Sequence, residues 1–206
     1  MYPTRVAARN VGEAASDAEA ADRRAIERVL AGETSAYRAI VERHQRGVHA
    51  VIYRLTHHRD DADELTQAAF LQAYDALGTF DRSRRFSSWI YRIAVNLAKD
   101  HLKARARGEV PDGAAGEAGD GLYCGNLPQP EASAIAGERE RLLERALQSL
   151  AVADREVLVL KDLHELPYEE IKDVLGRPIT ALKIRVVRAR ARLKAALDAL
   201  AGRDAL

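Results

Sequence analysis

Residues 168–194, YEEIKDVLGRPITALKIRVVRARARLK, read as two helices around a tight turn. Pro167 suits the start of the first helix, with Glu169 and Glu170 at its positive end. Gly176 suits a left-handed stop after Leu175, and Arg177-Pro178 makes the turn. A second helix runs from about Ile179. At ~100° per residue, Ile179, Leu182, Val186, Ala189 and Leu193 gather on one side as a core stripe. Thr180, Ile184, Val187 and Arg188 gather opposite. Lys183, Arg190 and Lys194 flank one edge of that outer face, and Arg185 and Arg192 the other. Residues 177–197 hold seven basic side chains and no acid. In a major groove Ile184 and Val187 can touch thymine methyls, Arg188 can reach guanine, and the flanking cations can hold phosphates. The bland alternative is an amphipathic helix with a basic solvated surface.

Outward from this motif the chain is helical, with no clean period-two run bounded by turn residues. Helices are predicted over 22–30 and 34–56, broken near Gly32. Another starts at a cap on Asp60 or Asp61 and runs to about Leu77, with Gly78 as its stop. A loop over 78–86 leads to a helix at about 87–106. Residues 108–137 hold seven of the 13 Gly, three of the six Pro, five acids and no basic residue. Such a stretch has few groups to repay ordering and reads as a flexible acidic linker. Its ~30 residues would average about 30 Å as a coil and reach ~100 Å extended. The predicted fold is all-α. A lead-in (1–21) is expected to be disordered. Two small helical domains follow (22–107 and 138–200, the second carrying the helix-turn-helix), joined by the linker.

Between Thr79 and Arg107 lie eight Lys/Arg against two acids, Asp81 and Asp100, interleaved with Phe80, Phe86, Trp89 and Tyr91. Cations beside aromatics suit a strand that is charged and unstacked. Ile90, Ile93, Ala94 and Leu97 form a core face on this helix. Arg92, Asn96, Lys99 and Lys103 form another, and Asn96 can both donate to and accept from a base edge. Trp89 and Phe86 fit equally as core anchors.

Asp60, Asp61, Asp63 and Glu64 admit two readings. They stabilise a helix N-terminus through its dipole, or they offer an acidic surface to a basic protein partner. The six histidines show no chelating spacing, and no phosphate-binding glycine loop is present. No metal, cofactor or catalytic group is therefore expected. Cys124 is the only cysteine, which excludes an intrachain disulfide and a cysteine metal cluster. No apolar run approaches the ~18 residues of a membrane span, and the N-terminus lacks a signal-peptide core. A cytoplasmic protein is expected. The net charge of +1 hides segregation: residues 21–107 carry 16 basic against 11 acidic groups.

Together these motifs resemble the extracytoplasmic-function (ECF) class of bacterial RNA polymerase sigma factors. Residues 61–75, DADELTQAAFLQAYD, resemble the region that docks on the β′ clamp helices. Residues 80–102, FDRSRRFSSWIYRIAVNLAKDHL, resemble the region that opens and reads the minus-10 element. Residues 147–194 resemble domain 4, which reads the minus-35 element and leans on the β flap. The resemblance implies that Asp61, Asp63, Glu64, Leu65 and Gln67 face polymerase. It implies that loop residues Phe80 to Phe86, with Arg82, Arg84 and Arg85, cradle a flipped base of the single-stranded non-template strand. Trp89, Arg92, Asn96 and Lys99 would support opening and reading. Thr180, Lys183, Ile184, Arg185, Val187 and Arg188 would serve the minus-35 groove. Core polymerase, promoter DNA and an anti-sigma factor are the implied partners. With no further domain after Leu206, the sensor is expected to be another protein, and the linker is expected to thread a basic polymerase channel. The chain departs from the family pattern at Ala68, at Pro167, and at Thr180, Ala181 and Ile184 of the recognition helix. A polymerase-independent helix-turn-helix regulator is the alternative, but it would need neither the acid cluster nor the aromatic helix.

Overall fold

Gly32 sits at φ +101°, a left-handed geometry that glycine adopts without steric cost, and it divides the first two helices. The computed structural model describes residues 6–109 and 130–203. Helix α1 spans Val6–Leu30, and α2 spans Tyr37–Thr56 after a 3-10 turn at Thr34–Ala36. Helix α3 (Arg59–Asp75), a 3-10 turn (Leu77–Thr79) and α4 (Phe86–Ala106) complete the first lobe. The second lobe holds α5 (Pro130–Gln148), α6 (Val152–Leu158), a π-turn (Val159–Leu163), α7 (Tyr168–Leu175) and α8 (Ile179–Arg203). No strand occurs among the described residues, so the fold is all-α as expected. None of their helices is long and apolar enough to cross a membrane.

Several local expectations are corrected. The 1–21 lead-in is helical from Val6, since its run of Ala, Glu and Arg favours helix. Helix α5 begins at Pro130, inside the stretch expected as linker. Residues 110–129 of that stretch, with Cys124, lie outside the described residues. The cap of α3 is His58, not Asp60 or Asp61: its Nδ1 accepts from the Asp61 N–H at 3.3 Å. Gly78 is not the left-handed stop of α3, which ends at Asp75 and passes into the 3-10 turn that contains Gly78.

Helices α2, α3 and α4 bury Ile40, Val48, Val51, Ile52 and Leu55 against Ala69, Phe70 and Ala73, and against Ile90, Ala94, Val95 and Ala98. The alanines let the helix axes approach closely. At Gly47 a Cβ would collide with the Tyr91 hydroxyl of α4, so any larger residue would have to displace that side chain. At the mouth of the lobe Phe80 and Phe86 are 7 % and 3 % exposed. Their rings lie 5.7 Å apart, with Trp89 at 5.0 and 5.6 Å and His44 at 5.4 Å from Phe86. Phe80 and Phe86 are therefore core anchors, which corrects their expected role in cradling a base. The loop turns on Asp81, whose carboxylate accepts from the Ser83 N–H and hydroxyl, and tucks both rings beneath it.

In the second lobe Leu147, Val157, Leu160, Ile171, Val174, Leu182, Val186 and Ala189 form the core. Gly176 closes α7 at φ +64°, as its position in the sequence requires.

The lobes pack on each other through α2, α4, α6 and α7. Arg155 of α6, 7 % exposed, donates to the carbonyls of Leu147, Gln148 and Leu150 at the end of α5. It also donates to the Leu55 carbonyl of α2 at 2.6 Å. Nearby, Glu144 meets His57 at 3.2 Å and Arg54 at 3.7 Å. His164 lies against the Tyr91 ring at 5.4 Å.

Phe86→Ala should cost about 3–5 kcal/mol of stability, read by denaturant unfolding, as loss of a core aromatic does. A loss below ~1 kcal/mol would return Phe86 to a surface role. Burial, helped by the charge of Arg54, pulls His164 from 6.5 down to about 4. The unfolded chain therefore takes up this proton first, and stability is full above about pH 6.5 and falls toward about pH 4. Between about pH 7.5 and pH 5 the melting temperature should fall further for the wild type than for His164→Gln. Equal falls would remove His164 as the group responsible.

Candidate nucleic-acid and polymerase interfaces

Helix α4 presents two adjoining cavities. One of about 200 Å³ is lined by Gln72, Trp89, Arg92, Ile93, Asn96, Leu97 and Asp100. The other, about 340 Å³, is lined by Thr79, Asp81, Arg84, Arg85, Ser88, Trp89, Arg92 and, from the second lobe, Asp173. Half-buried Trp89 and exposed Arg92 line both. An indole face, a guanidinium and an amide beside a concave floor can stack, neutralise and read a nucleotide.

The residues expected for this face divide into three groups. Arg82, Arg92 and Asn96 are exposed, and Trp89 is half-buried. Phe80 and Phe86 are in the core. Arg84, Arg85 and Lys99 are held by acids of the second lobe. Arg85 reaches Glu170 at 2.6 Å, and Glu19 of α1 also pairs with it. Arg84 reaches Asp173 at 3.0 Å, and Lys99 reaches Glu156 at 3.1 Å.

The α3 acids also divide. Asp61 points inward, with His101 at 2.8 Å and Arg105 at 3.6 Å, and fastens the start of α3 to the end of α4. Asp63 is exposed and meets His49 at 3.0 Å. Glu64 and Gln67 are exposed, and Leu65 is half-buried. Sequence reasoning missed Leu71 and Tyr74, exposed at 67 % and 38 %. With Asp63, Glu64 and Gln67 they share one ~100° sector of α3, opposite Ala62, Ala69 and Ala73. That spacing was available in the sequence, but an apolar Leu in an apolar run reads as core. Tyr37 braces this face: its ring meets Tyr74 edge-on at 5.0 Å, and its hydroxyl donates to the Phe70 carbonyl at 2.7 Å.

On α8, Ile184 and Val187 are 54 % and 67 % exposed, and Thr180, Lys183 and Arg188 are exposed beside them. Lys183 extends over the Tyr168 ring at 5.7 Å. Arg185 instead turns to the buried Asp154 of α6 at 3.4 Å, as Arg192 also does. Arg190 meets Asp162 at 2.9 Å. Three of the expected flanking cations thus fix the recognition helix to its own lobe. No cluster of three or more metal-ligating side chains occurs among the described residues.

The Sigma-70 region 2 family model matches residues 40–108, and the Sigma-70 region 4 model matches residues 140–193. The chain is 33 % identical over 184 residues to the RNA polymerase sigma-H factor of Pseudomonas aeruginosa, covering 87 % of this chain and 95 % of that one. It is 32 % identical over 169 residues to the ECF RNA polymerase sigma-E factor of Escherichia coli K12, covering 80 % and 88 %. Its fold is similar to that of CnrH, solved in complex with the cytosolic domain of CnrY. The TM-score is 0.62 at 28 % identity, covering 87 % of this chain and 98 % of CnrH. With region 2 lying on α2–α4, region 4 on α5–α8, and relatives of this identity over nearly their whole length, the chain belongs to the ECF family of RNA polymerase sigma factors.

Proposed function

We propose that this sigma factor docks on core polymerase through the outer face of α3, captures the minus-10 strand on α4, and reads the minus-35 duplex with α8. The observation that carries this reading is the arrangement of three chemically distinct faces on a chain of this family. The α3 face is acidic with an apolar centre, which suits a basic helical partner such as the β′ clamp helices. Asp63, Glu64, Gln67, Leu71 and Tyr74 form it. Asp61 serves it indirectly, by holding α3 against α4.

Arg82 of the preceding loop and Arg92 of α4 neutralise phosphates, Trp89 offers a partly exposed ring, and Asn96 reads a base edge in the 200 Å³ cavity. On α8, Ile184 and Val187 touch thymine methyls, Arg188 pairs with guanine, and Thr180 and Lys183 approach the backbone. No covalent bond changes and no nucleotide is hydrolysed. Opening is driven by base capture and counterion release.

The functional units are 22–107 for docking and the minus-10 element and 138–200 for the minus-35 element and the β flap. The promoter elements lie about two helical turns apart, or ~70 Å, so the two lobes must stand apart when both engage. The chain acts in the cytoplasm, where polymerase is. CnrH was solved with the cytosolic domain of CnrY, and a regulatory protein partner, an anti-sigma factor as the sequence resemblance implies, is expected here too.

Affinity for core RNA polymerase without DNA tests the docking face. Tight saturable binding is expected, and Glu64→Arg with Leu71→Glu should weaken it at least ~100-fold while the chain stays helical, since a central apolar anchor and its charged neighbour are both lost. Unchanged binding would move docking elsewhere. On duplex promoter DNA, Arg188→Ala should cost about 1–3 kcal/mol at one base position of the minus-35 element. A uniform loss across all sequences would make Arg188 a phosphate contact.

A further inference from the structure

Helix α1 precedes the region 2 segment, yet one of its faces closes on the loop that leads into α4. Glu19, Asp22, Arg23 and Ile26 recur at intervals of three and four and so share that face. Opposite them stand Phe80, Arg84, Arg85 and Phe86, across a crevice of about 10 Å³. A space of that size holds one water at most.

Two carboxylates of this face take separate partners. Asp22 is 5 % exposed, and its oxygens meet Arg43 and His44 of α2, the latter at 2.9 Å. A buried carboxylate persists only when it is paired, so Asp22 pins α1 on α2 in one register. His44 in turn lies 5.4 Å from the Phe86 ring. One turn before Asp22, Glu19 pairs with Nε of Arg85. The Glu19 Oε1 is buried and accepts no aligned hydrogen bond, so charge holds this contact. A guanidinium is planar and rigid, and fixing Nε fixes the direction of both Nη groups. That end of Arg85 serves the 340 Å³ cavity on α4, which the residue also lines with its side chain 47 % exposed. There Nη1 meets a Glu170 oxygen at 2.6 Å. An anionic oxygen can therefore sit on Nη1 while Glu19 holds Nε.

We infer that Glu19 is a positioning residue for strand capture, which holds Arg85 at Nε and aims its Nη end at a backbone phosphate of the minus-10 strand. The inference rests on the assignment of α4 to that strand. Asp22 supports Glu19 by fixing α1, and α1 is thereby part of the strand-binding unit. The sign of its effect separates this role from that of a bystander acid. A carboxylate beside a phosphate site repels the strand, so removing a bystander would tighten capture. Removing an orienting acid weakens it.

The test uses holoenzyme, the full chain on core bacterial RNA polymerase, and a fluorescein-labelled pool of single strands of randomised sequence. Anisotropy reports strand binding above that of core alone, and circular dichroism reports folding. Glu19→Gln keeps the shape and removes the charge. It should weaken strand binding roughly 3- to 10-fold and leave affinity for core unchanged. Glu19→Ala should move strand binding the same way. Arg85→Ala should weaken it by a similar or larger factor, and in that background Glu19→Gln should add no further loss. Unchanged or tighter strand binding by folded Glu19→Gln overturns the inference. So does a loss that adds to that of Arg85→Ala, since Glu19 would then act through another group. Arg92→Ala with Asn96→Ala tests the underlying assignment. If that pair weakens strand binding and Arg85→Ala does not, the inference alone falls. If neither weakens it, the strand lies elsewhere, and the minus-10 assignment falls together with the inference.

Discussion

Helices α2 and α5 both run out of intrahelical donors at the same place, and Arg155 fills the deficit. Carbonyls of a last helical turn must find a donor when they are buried, because water cannot reach them. Three such carbonyls, from Leu55, Leu147 and Gln148, and that of Leu150 just beyond α5 converge on one guanidinium. The position of α6 follows from this, and α6 carries Asp154 on one side of Arg155 and Glu156 on the other. Asp154 anchors α8 through Arg185 and Arg192, while Glu156 faces Lys99 of α4. Three successive residues therefore set the recognition helix, the lobe joint and one contact to the strand-binding helix.

The helix-turn-helix and the core stripe of α4 were legible because period, stop signal and turn chemistry all agreed there. Leu182, Val186 and Ala189 are buried, Ile184 and Val187 are exposed, and Gly176 is left-handed. The aromatic loop was misread for a physical reason. Composition shows that Phe80 and Phe86 stand among arginines, but whether a ring faces solvent depends on the path of the loop. Asp81 sets that path through hydrogen bonds that no periodicity announces. Asp61 was half legible: an acid near a helix start is expected, but its grip on His101 joins residues 40 apart. The pairs across the lobes were illegible altogether. Glu170 read as a dipole-stabilising acid in the first turn of α7, and its partners Arg85 and Ser88 lie 85 and 82 residues away.

The three faces also differ in how tightly they are committed. The outer face of α3 is braced from beneath by Tyr37 and by Asp61, so its acids and its apolar centre are held ready. The α8 face is similarly ready. At the α4 face Arg84, Arg85 and Lys99 are engaged by carboxylates of the second lobe, whereas the α8 arginines that are paired meet acids of their own lobe. The chemistry that suits a phosphate strand is the chemistry that an acidic helix can borrow.

Asp154 has a consequence for how this lineage can change its targets. The pitch of α8 is fixed by a buried carboxylate and two arginines at one edge of the helix. Thr180, Ile184, Val187 and Arg188 project from the outer side and support nothing in the fold. The recognition helix is thus a key whose shank and teeth are separately cut. Its teeth can be exchanged, by drift or by an engineer building orthogonal transcription circuits, without loosening the lock plate that holds it.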